Sequence, residues 1–424
     1  MTSSDPTFPG LHIRPAAGWL NDPNGVCRID GRYHVFFQYN PDSPRHRDIV
    51  WGHVSSTDLL HWAEHPPGLV RRAGTISQNG CWTGCIVDDG GVPTAIYTAV
   101  HDHAGNAEAA LARSDRSLIT WTQDDHGVMA PPNDPAISDV RDPFVFVHEG
   151  RRYVIQGAGR AGGEPSILLY GADRLDDWTE LGALLDYSDP LVREVARSEI
   201  WECPNLALID GRWVLIVSLW DSTASGPRAN SVSYLVGELI TDGPGLRFVP
   251  ESGGQLDVDG SFYAPQLVAL PDRTLLWGFA RELGRTQEQI DAVGWASVLT
   301  YPRELNVVDG VLLSRPAREL TALRRSELDP THPIREQAFE LTATLTPTHP
   351  LTLTLSDLSE VRSPIAQLSS DKSAEVRVLV DGSMVEVYVE GQQPQTLRAY
   401  PTADSTWHVD TLAPDLTAWR HALP

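Results

Sequence analysis

The chain has 424 residues, with 33 Lys and Arg against 56 Asp and Glu, and a formal net charge of −23. Its basic side chains are scattered and Lys372 is the sole lysine, so nucleic acid is excluded as a partner: a net-anionic surface repels phosphate. A membrane span is excluded too, because the longest apolar stretch, residues 213–220, is interrupted by Ser218 and far too short to cross a bilayer.

The first residues, Met1-Thr-Ser-Ser-Asp-Pro-Thr7, carry no basic region and no apolar core, so no signal peptide is expected. Cys27, Cys81, Cys85 and Cys203 form neither a CxxC pair nor a disulfide framework, and read as free thiols in a reducing cytoplasm. Oligomeric state has no signal in the sequence. In the first 300 residues, long amphipathic helical patterns are nearly absent. Tyr33-His-Val-Phe-Phe, Tyr153-Val-Ile and Trp213-Val-Leu-Ile-Val are β-branched and aromatic tracts that each follow a turn signal, which predicts an all-β chain of short strands.

Five segments repeat one pattern, a polar or glycine-containing turn and then an apolar strand. They begin at Asp30-Gly31, Asp89-Gly90-Gly91, Glu149-Gly150, Asp210-Gly211 and Pro271-Asp272. Counted from Gly31, Gly91, Gly150, Gly211 and Asp272, the intervals are 60, 59, 61 and 61 residues. Trp62, Trp121 and Trp178 recur near one phase of the first three. Units of ~60 residues, each with room for four strands, predict a five-bladed β-propeller over residues 1–314. Residues 315–331 read as a helical linker, with Pro316 suited to a first turn and Leu320 and Leu323 on one face. Over 332–424 strict alternation, as in Leu351-Thr-Leu-Thr-Leu and Val385-Glu-Val-Tyr-Val, predicts a small β-sandwich, with a hairpin turn at Asp381-Gly382.

The repeat register also points to a site. Asp22 lies nine residues before Gly31, Asp142 eight before Gly150 and Glu202 nine before Gly211. The same offset falls on Trp82-Thr83 in the second repeat and on Tyr263 in the fifth. Equivalent positions of successive blades ring a propeller axis, so three carboxylates distant in sequence are expected to converge in one funnel. Their charges should raise one another's pKa. Arg141 should hold Asp142 ionised, whereas Glu202, between Trp201 and Cys203, has the apolar setting of a general acid. Asp259 is a further acid expected in the funnel. His101-Asp102-His103 is the sole cluster of metal-ligand types and reads as a solvent loop; neither a metal nor another cofactor is expected.

With these residues assembled, Trp19-Leu-Asn-Asp-Pro-Asn-Gly25, Arg141-Asp-Pro143 and Glu202-Cys203 resemble the three signature motifs of glycoside hydrolase family 32, the invertases and fructan β-fructosidases. Phe37-Gln-Tyr-Asn-Pro41, Trp51-Gly-His-Val, Asp58-Leu-Leu-His-Trp62, Phe262-Tyr-Ala-Pro-Gln266, Pro302-Arg-Glu-Leu305 and Val380-Asp-Gly-Ser-Met-Val-Glu-Val387 extend the resemblance over nearly the whole chain. It implies a five-bladed propeller with a C-terminal sandwich, and retaining cleavage of terminal β-D-fructofuranosyl bonds in sucrose or short fructans. It also implies Asp22 as nucleophile, Glu202 as acid/base and Asp142 as transition-state stabiliser. Asn21, Gln38, Trp82, Thr83 and Arg141 fall where the family contacts the fructosyl ring, and we add Trp51 and Tyr263 as candidate contacts. His46 departs from a usually aromatic position and Trp82-Thr83-Gly84 from the more common Phe-Ser-Gly, which bears on the sugar beyond the fructosyl ring. The alternatives are transfructosylation through the same intermediate, a non-catalytic carbohydrate-binding propeller, and an inverting arabinan or xylan hydrolase. Fructan exohydrolysis through the same intermediate is a further alternative, and a small carbohydrate, a fructoside, is the expected partner.

Overall fold

Asp30, Glu149 and Asp210 take φ of 50°, 50° and 48°, and the glycine after each is also positive at 81°, 78° and 78°. Two successive left-handed residues make the tight turn whose twist matches a hairpin. Four of the five sequence markers, with Gly90-Gly91 at 63° and 95°, are therefore hairpin turns, and the strands on either side pair antiparallel.

The computed structural model describes residues 5–424 except 103–105, 130, 224–225, 259 and 358–361. His103 and Asp259 therefore lie outside the described residues. Gly18–Ile29, Arg32–Asn40, Val50–Ser56 and Ala63–His65 pair in chain order, as do Gly80–Asp89, Val92–Val100, Ala107–Ser114 and Trp121–Gln123. Ile137–His148 begins a third such meander ending at Asp177–Asp186, and Ile200–Ile209 a fourth ending at Gly245–Gln255; one bridge, Gly159 to Ile200, joins these two. Phe262–Ala269, Thr274–Ala280, Arg303–Val308 and Val311–Pro316 make the last. The first strands of successive meanders are neighbours, and the strand at Phe262–Ala269 returns to lie beside Gly18–Ile29, so the curled sheets close into a propeller-like ring. Trp295–Ala296 pairs parallel with Gly18 and Trp19 at the closure. Leu20, Phe37, Ile155, Trp201, Leu215 and Trp277 are among the buried side chains of the main core. Trp121 and Trp178 repeat a single contact, each donating its indole N–H to the carbonyl three residues earlier.

The chain from 315 onward is less helical than its sequence suggests. Arg315 and Pro316 finish a strand, Arg318–Leu323 is a 3-10 helix, and Arg324–Leu328 is already an edge strand pairing with Thr417–His421. Tertiary pairing outweighs the weak helical preference of so short a segment. Beyond it, a six-stranded and a three-stranded sheet enclose a second core that includes Phe339, Leu341, Val378 and Trp407. The Asp381-Gly382 turn joins Ala374–Asp381 to Met384–Val389, and its aspartate accepts the backbone N–H groups of Gly10, Leu11 and His12. The N-terminal segment is thereby clamped onto the second module. Among the described residues no helix is long and apolar enough to cross a membrane.

Candidate active site

Each inner strand of the ring breaks its pairing at one phase. The register shifts fall between Asn21 and Pro23, between Trp82 and Gly84, beside Asp142-Pro143, between Glu202 and Asn205, and between Tyr263 and Gln266. Four of these bulges hold a non-glycine residue at positive φ: Asp22 at 36°, Asp142 at 60°, Cys203 at 47° and Ala264 at 43°. Each is followed by proline, which has no N–H to lose from the ladder and suits a bulge. Proline also disfavours helical geometry in the residue before it, so these positions are strained, at about 1–3 kcal/mol each. Strain repeated at one phase re-aims the side chains that face the ring axis.

The result is one polar cluster. Asp22 Oδ1 accepts from Asn21 Nδ2 at 2.9 Å, and its Oδ2 from Gln38 Nε2 at 3.0 Å and Thr83 Oγ1 at 2.8 Å. Both amides are held in orientation by a second donor. Trp19 Nε1–H donates to Asn21 Oδ1 at 2.7 Å, and His46 Nε2 lies 3.1 Å from Gln38 Oε1. An amide oxygen only accepts, so His46 carries its proton on Nε2, and each amide turns its NH₂ toward Asp22. The Cys203 thiol lies 3.4 Å from Asp142 Oδ2 and 3.7 Å from Asp22 Oδ2, and the Cys203 N–H donates to Asp142 at 2.9 Å. The Asp142 N–H donates to Thr98 Oγ1 at 2.8 Å. Glu202 faces Arg141 Nη1 at 3.2 Å through Oε1 and the Tyr263 hydroxyl at 2.9 Å through Oε2. Arg141 also binds Asp139 at 2.8 Å, and its guanidinium lies 6.0 Å from the centroids of both Trp82 and Trp220.

Burial, and then the charge of Glu202, push the carboxyls of Asp22 and Asp142 each up to about 7. Burial also raises Glu202, against the pull of Arg141 and Tyr263. The thiol of Cys203, buried among three acids, is raised well above its ordinary range and stays neutral. A carboxyl whose pKa is higher folded than unfolded favours folding below its unfolded pKa, near 4, and loses that advantage as pH rises through 7. Asp22→Asn is therefore expected to raise the melting temperature by a few degrees at pH 8, with no gain at pH 4. Calorimetry at the two pH values checks this; an equal effect at both would contradict a raised pKa of Asp22 in the folded protein.

Two hydrogen-bonded groups thus meet in one cluster: Asn21, Asp22, Gln38, Thr83 and Asp142 with Cys203, and Arg141, Glu202 and Tyr263, the two coupled by the charges of their acids, with Trp82 beside Arg141. Trp51 does not join it. It is fully buried between Phe36 and Tyr97, and its indole N–H donates to the Trp82 carbonyl at 3.0 Å, so it backs the wall that Trp82 forms. A strand places alternate residues on opposite faces, and Trp51 falls on the face that packs against the second meander, with Cys81, Ala95 and Tyr97. Asp139 was missed by sequence reasoning, although its position two residues before Arg141 on the same strand is a signal that could have found it.

Comparison with known proteins then fixes the family. The description "Glycosyl hydrolases family 32 N-terminal domain" matches residues 12–316, and "Glycosyl hydrolases family 32 C terminal" matches residues 319–413. The chain belongs to glycoside hydrolase family 32. It is 31% identical over 330 residues to a sucrose-6-phosphate hydrolase of Zymomonas mobilis, covering 76% of this chain and 64% of that protein, under two thirds of its length. It is 29% identical over 461 residues to a raffinose invertase of Escherichia coli, covering 97% of this chain and 94% of that one. The fold is similar to the structure of a sucrose-6-phosphate hydrolase from Lactobacillus gasseri, with a TM-score of 0.84 and 23% identity over 99% of this chain and 94% of that one.

Proposed function

We propose that the protein is a retaining β-fructofuranosidase that releases terminal fructose from sucrose or short fructans. The observation that carries this reading is the convergence of Asp22, Asp142 and Glu202 in one buried cluster, close enough for the charge of Glu202 to shift both aspartates, each acid on a different meander of the ring. In this reading the five meanders are the five blades of a propeller ending at Pro316, and the two sheets from Arg324 onward are an accessory sandwich joined to it through the 3-10 helix at Arg318–Leu323. Asp22 attacks the anomeric carbon. Its three neutral donors align the carboxyl, and those from Asn21 and Thr83 act against burial to favour the ionised form in which it attacks. Glu202 protonates the departing oxygen, a role that the upward shift of its pKa by burial favours. Asp142 stabilises positive charge developing on the ring and grips fructose hydroxyls. Asn21, Gln38, Thr83, Arg141 and Tyr263 position the sugar or the acids, and Trp82 offers an indole face to it.

Four free, buried cysteines suit a reducing compartment, and we place the enzyme in the cytoplasm. A panel of sucrose, kestose, inulin and levan with the purified protein tests the function. Fructose should be released from the short substrates; release from none of them would leave a carbohydrate-binding propeller as the better reading.

A further inference from the structure

Behind each amide that clamps Asp22 stands a ring N–H. Trp19 donates to Asn21, which holds Oδ1, and His46 donates to Gln38, which holds Oδ2. The two donors are placed in different ways. Trp19 and Asn21 share the strand of Asp22 itself, whereas His46 is exposed on the loop over residues 41–49. That loop is pinned at both sides of the histidine. Asn40, only 1% exposed, donates to Ser43 Oγ and to the Arg45 carbonyl, both at 3.1 Å, and accepts the Asp42 N–H at 3.0 Å. Arg45 pairs with Asp291 on the helix Gln287–Val293. The His46 ring then stands 6.0 Å from Trp19 and 6.0 Å from Trp82, centroid to centroid.

Gln38 is buried, and its amide has two orientations related by a half-turn. In the observed one, Nε2 donates to Asp22 Oδ2 and, at 2.7 Å, to Thr83 Oγ1, which leaves the Thr83 proton for Asp22. In the other, Oε1 would face the Asp22 carboxylate and compete with it for the Thr83 proton. An ionised carboxylate is stabilised by the first arrangement and repelled by the second. The donor on Oε1 is what separates the two, because a buried carbonyl oxygen keeps the orientation in which it is paired.

We propose that His46 is a positioning residue for the reaction: its Nε2–H fixes the Gln38 amide, and through that amide favours the ionised, attacking form of Asp22. The inference rests on the fructosidase reading, in which Asp22 is the nucleophile. Nε2 carries a proton in this neutral tautomer and in the imidazolium alike, so the contact persists as the ring titrates. Arg45 and Arg47, which flank His46 on the loop, pair with Asp291 and Asp48. Asp142, Glu202, Cys203 and Tyr263 face Asp22 from the third, fourth and fifth meanders, and a change at His46 leaves them in place.

Two variants at position 46 test it on sucrose and on methyl β-D-fructofuranoside, which has no second sugar. His46→Phe keeps a ring beside Trp19 and Trp82 and removes the donor. It should lower kcat/KM about tenfold, and equally on both substrates, because the defect lies at the nucleophile rather than at the leaving group. The acidic limb of its pH profile should move up by about one unit, since an ionised carboxylate has lost a donor; the limb is a property of the coupled acids together. His46→Gln, whose amide nitrogen reaches about as far as Nε2, should restore both readouts to within about twofold and a few tenths of a unit. In a Gln38→Leu background, His46→Phe should cost nothing further, because the two residues act as one unit. A loss confined to sucrose, an unmoved acidic limb, a loss in His46→Gln equal to that in His46→Phe, or additive losses in the double variant would overturn the proposal. Fructose release from neither substrate by the wild type would overturn the fructosidase reading instead.

Discussion

Glu202→Gln is expected to lower kcat on sucrose by about 10²–10⁴-fold, because an unactivated sugar alkoxide cannot leave without a proton. Asp22→Asn should lose on the order of 10⁴-fold or more, since no other group can form the covalent intermediate. The two variants should separate on an aryl β-D-fructofuranoside whose leaving group needs no proton. There Glu202→Gln should still form the fructosyl intermediate, and azide should rescue its turnover, because a small anion attacks without a general base. Asp22→Asn should not regain turnover with retention. The loss of the basic limb of the pH profile in Glu202→Gln is a second readout, the limbs being properties of the coupled acids together. Wild-type activity on sucrose in Glu202→Gln would remove the acid/base role from this residue.

The second large effect concerns the joint between the modules. Arg303 is fully buried and binds Asp257 at 3.0 Å, Glu386 at 2.9 Å and Thr396 at 2.6 Å. Glu386 also faces His12 Nε2 at 3.1 Å, and His12 Nδ1 lies 2.7 Å from Asp381. The N-terminal segment, the ring and the second module therefore meet in one charged network. Burial acts to raise the Glu386 carboxyl, but Arg303 and His12 hold it at about 2; Asp257 is lifted by burial to about 6 despite Arg303. Arg303→Met leaves Asp257 and Glu386 buried without the cation they share, and is expected to destabilise the protein by about 3–5 kcal/mol. Urea unfolding followed by tryptophan fluorescence checks this. Adding Glu386→Gln to Arg303→Met should recover part of the loss, because one uncompensated charge disappears. An unchanged midpoint in Arg303→Met would mean that the network does not hold the modules together.

Much of this molecule was legible in local pattern. Alternation and turn chemistry determine that the chain is β, since β-branched runs and Asp-Gly or Glu-Gly turns act within a few residues and need no distant partner. The recurring interval of about 60 residues puts Asp22, Asp142 and Glu202 near one phase, and the motifs around them mark the family. Other features depended on partners far away in sequence. The offsets of nine, eight and nine residues differ by one, which along unbroken strands would put Asp142 on the face opposite to Asp22 and Glu202; bulges at Asp22, Asp142 and Cys203 break that alternation, and a bulge exists only relative to the strand it pairs with. Trp51 looked like a ligand contact by its motif, but packing against Phe36 and Tyr97 takes it out of reach. Residues 324–328 became a strand because Thr417–His421 offered an edge about 90 residues away. The clamp of Asp381 on the N-terminal segment is likewise a product of tertiary structure, because burial and pairing are set by whichever distant surface closes over a residue, and no local pattern records that surface.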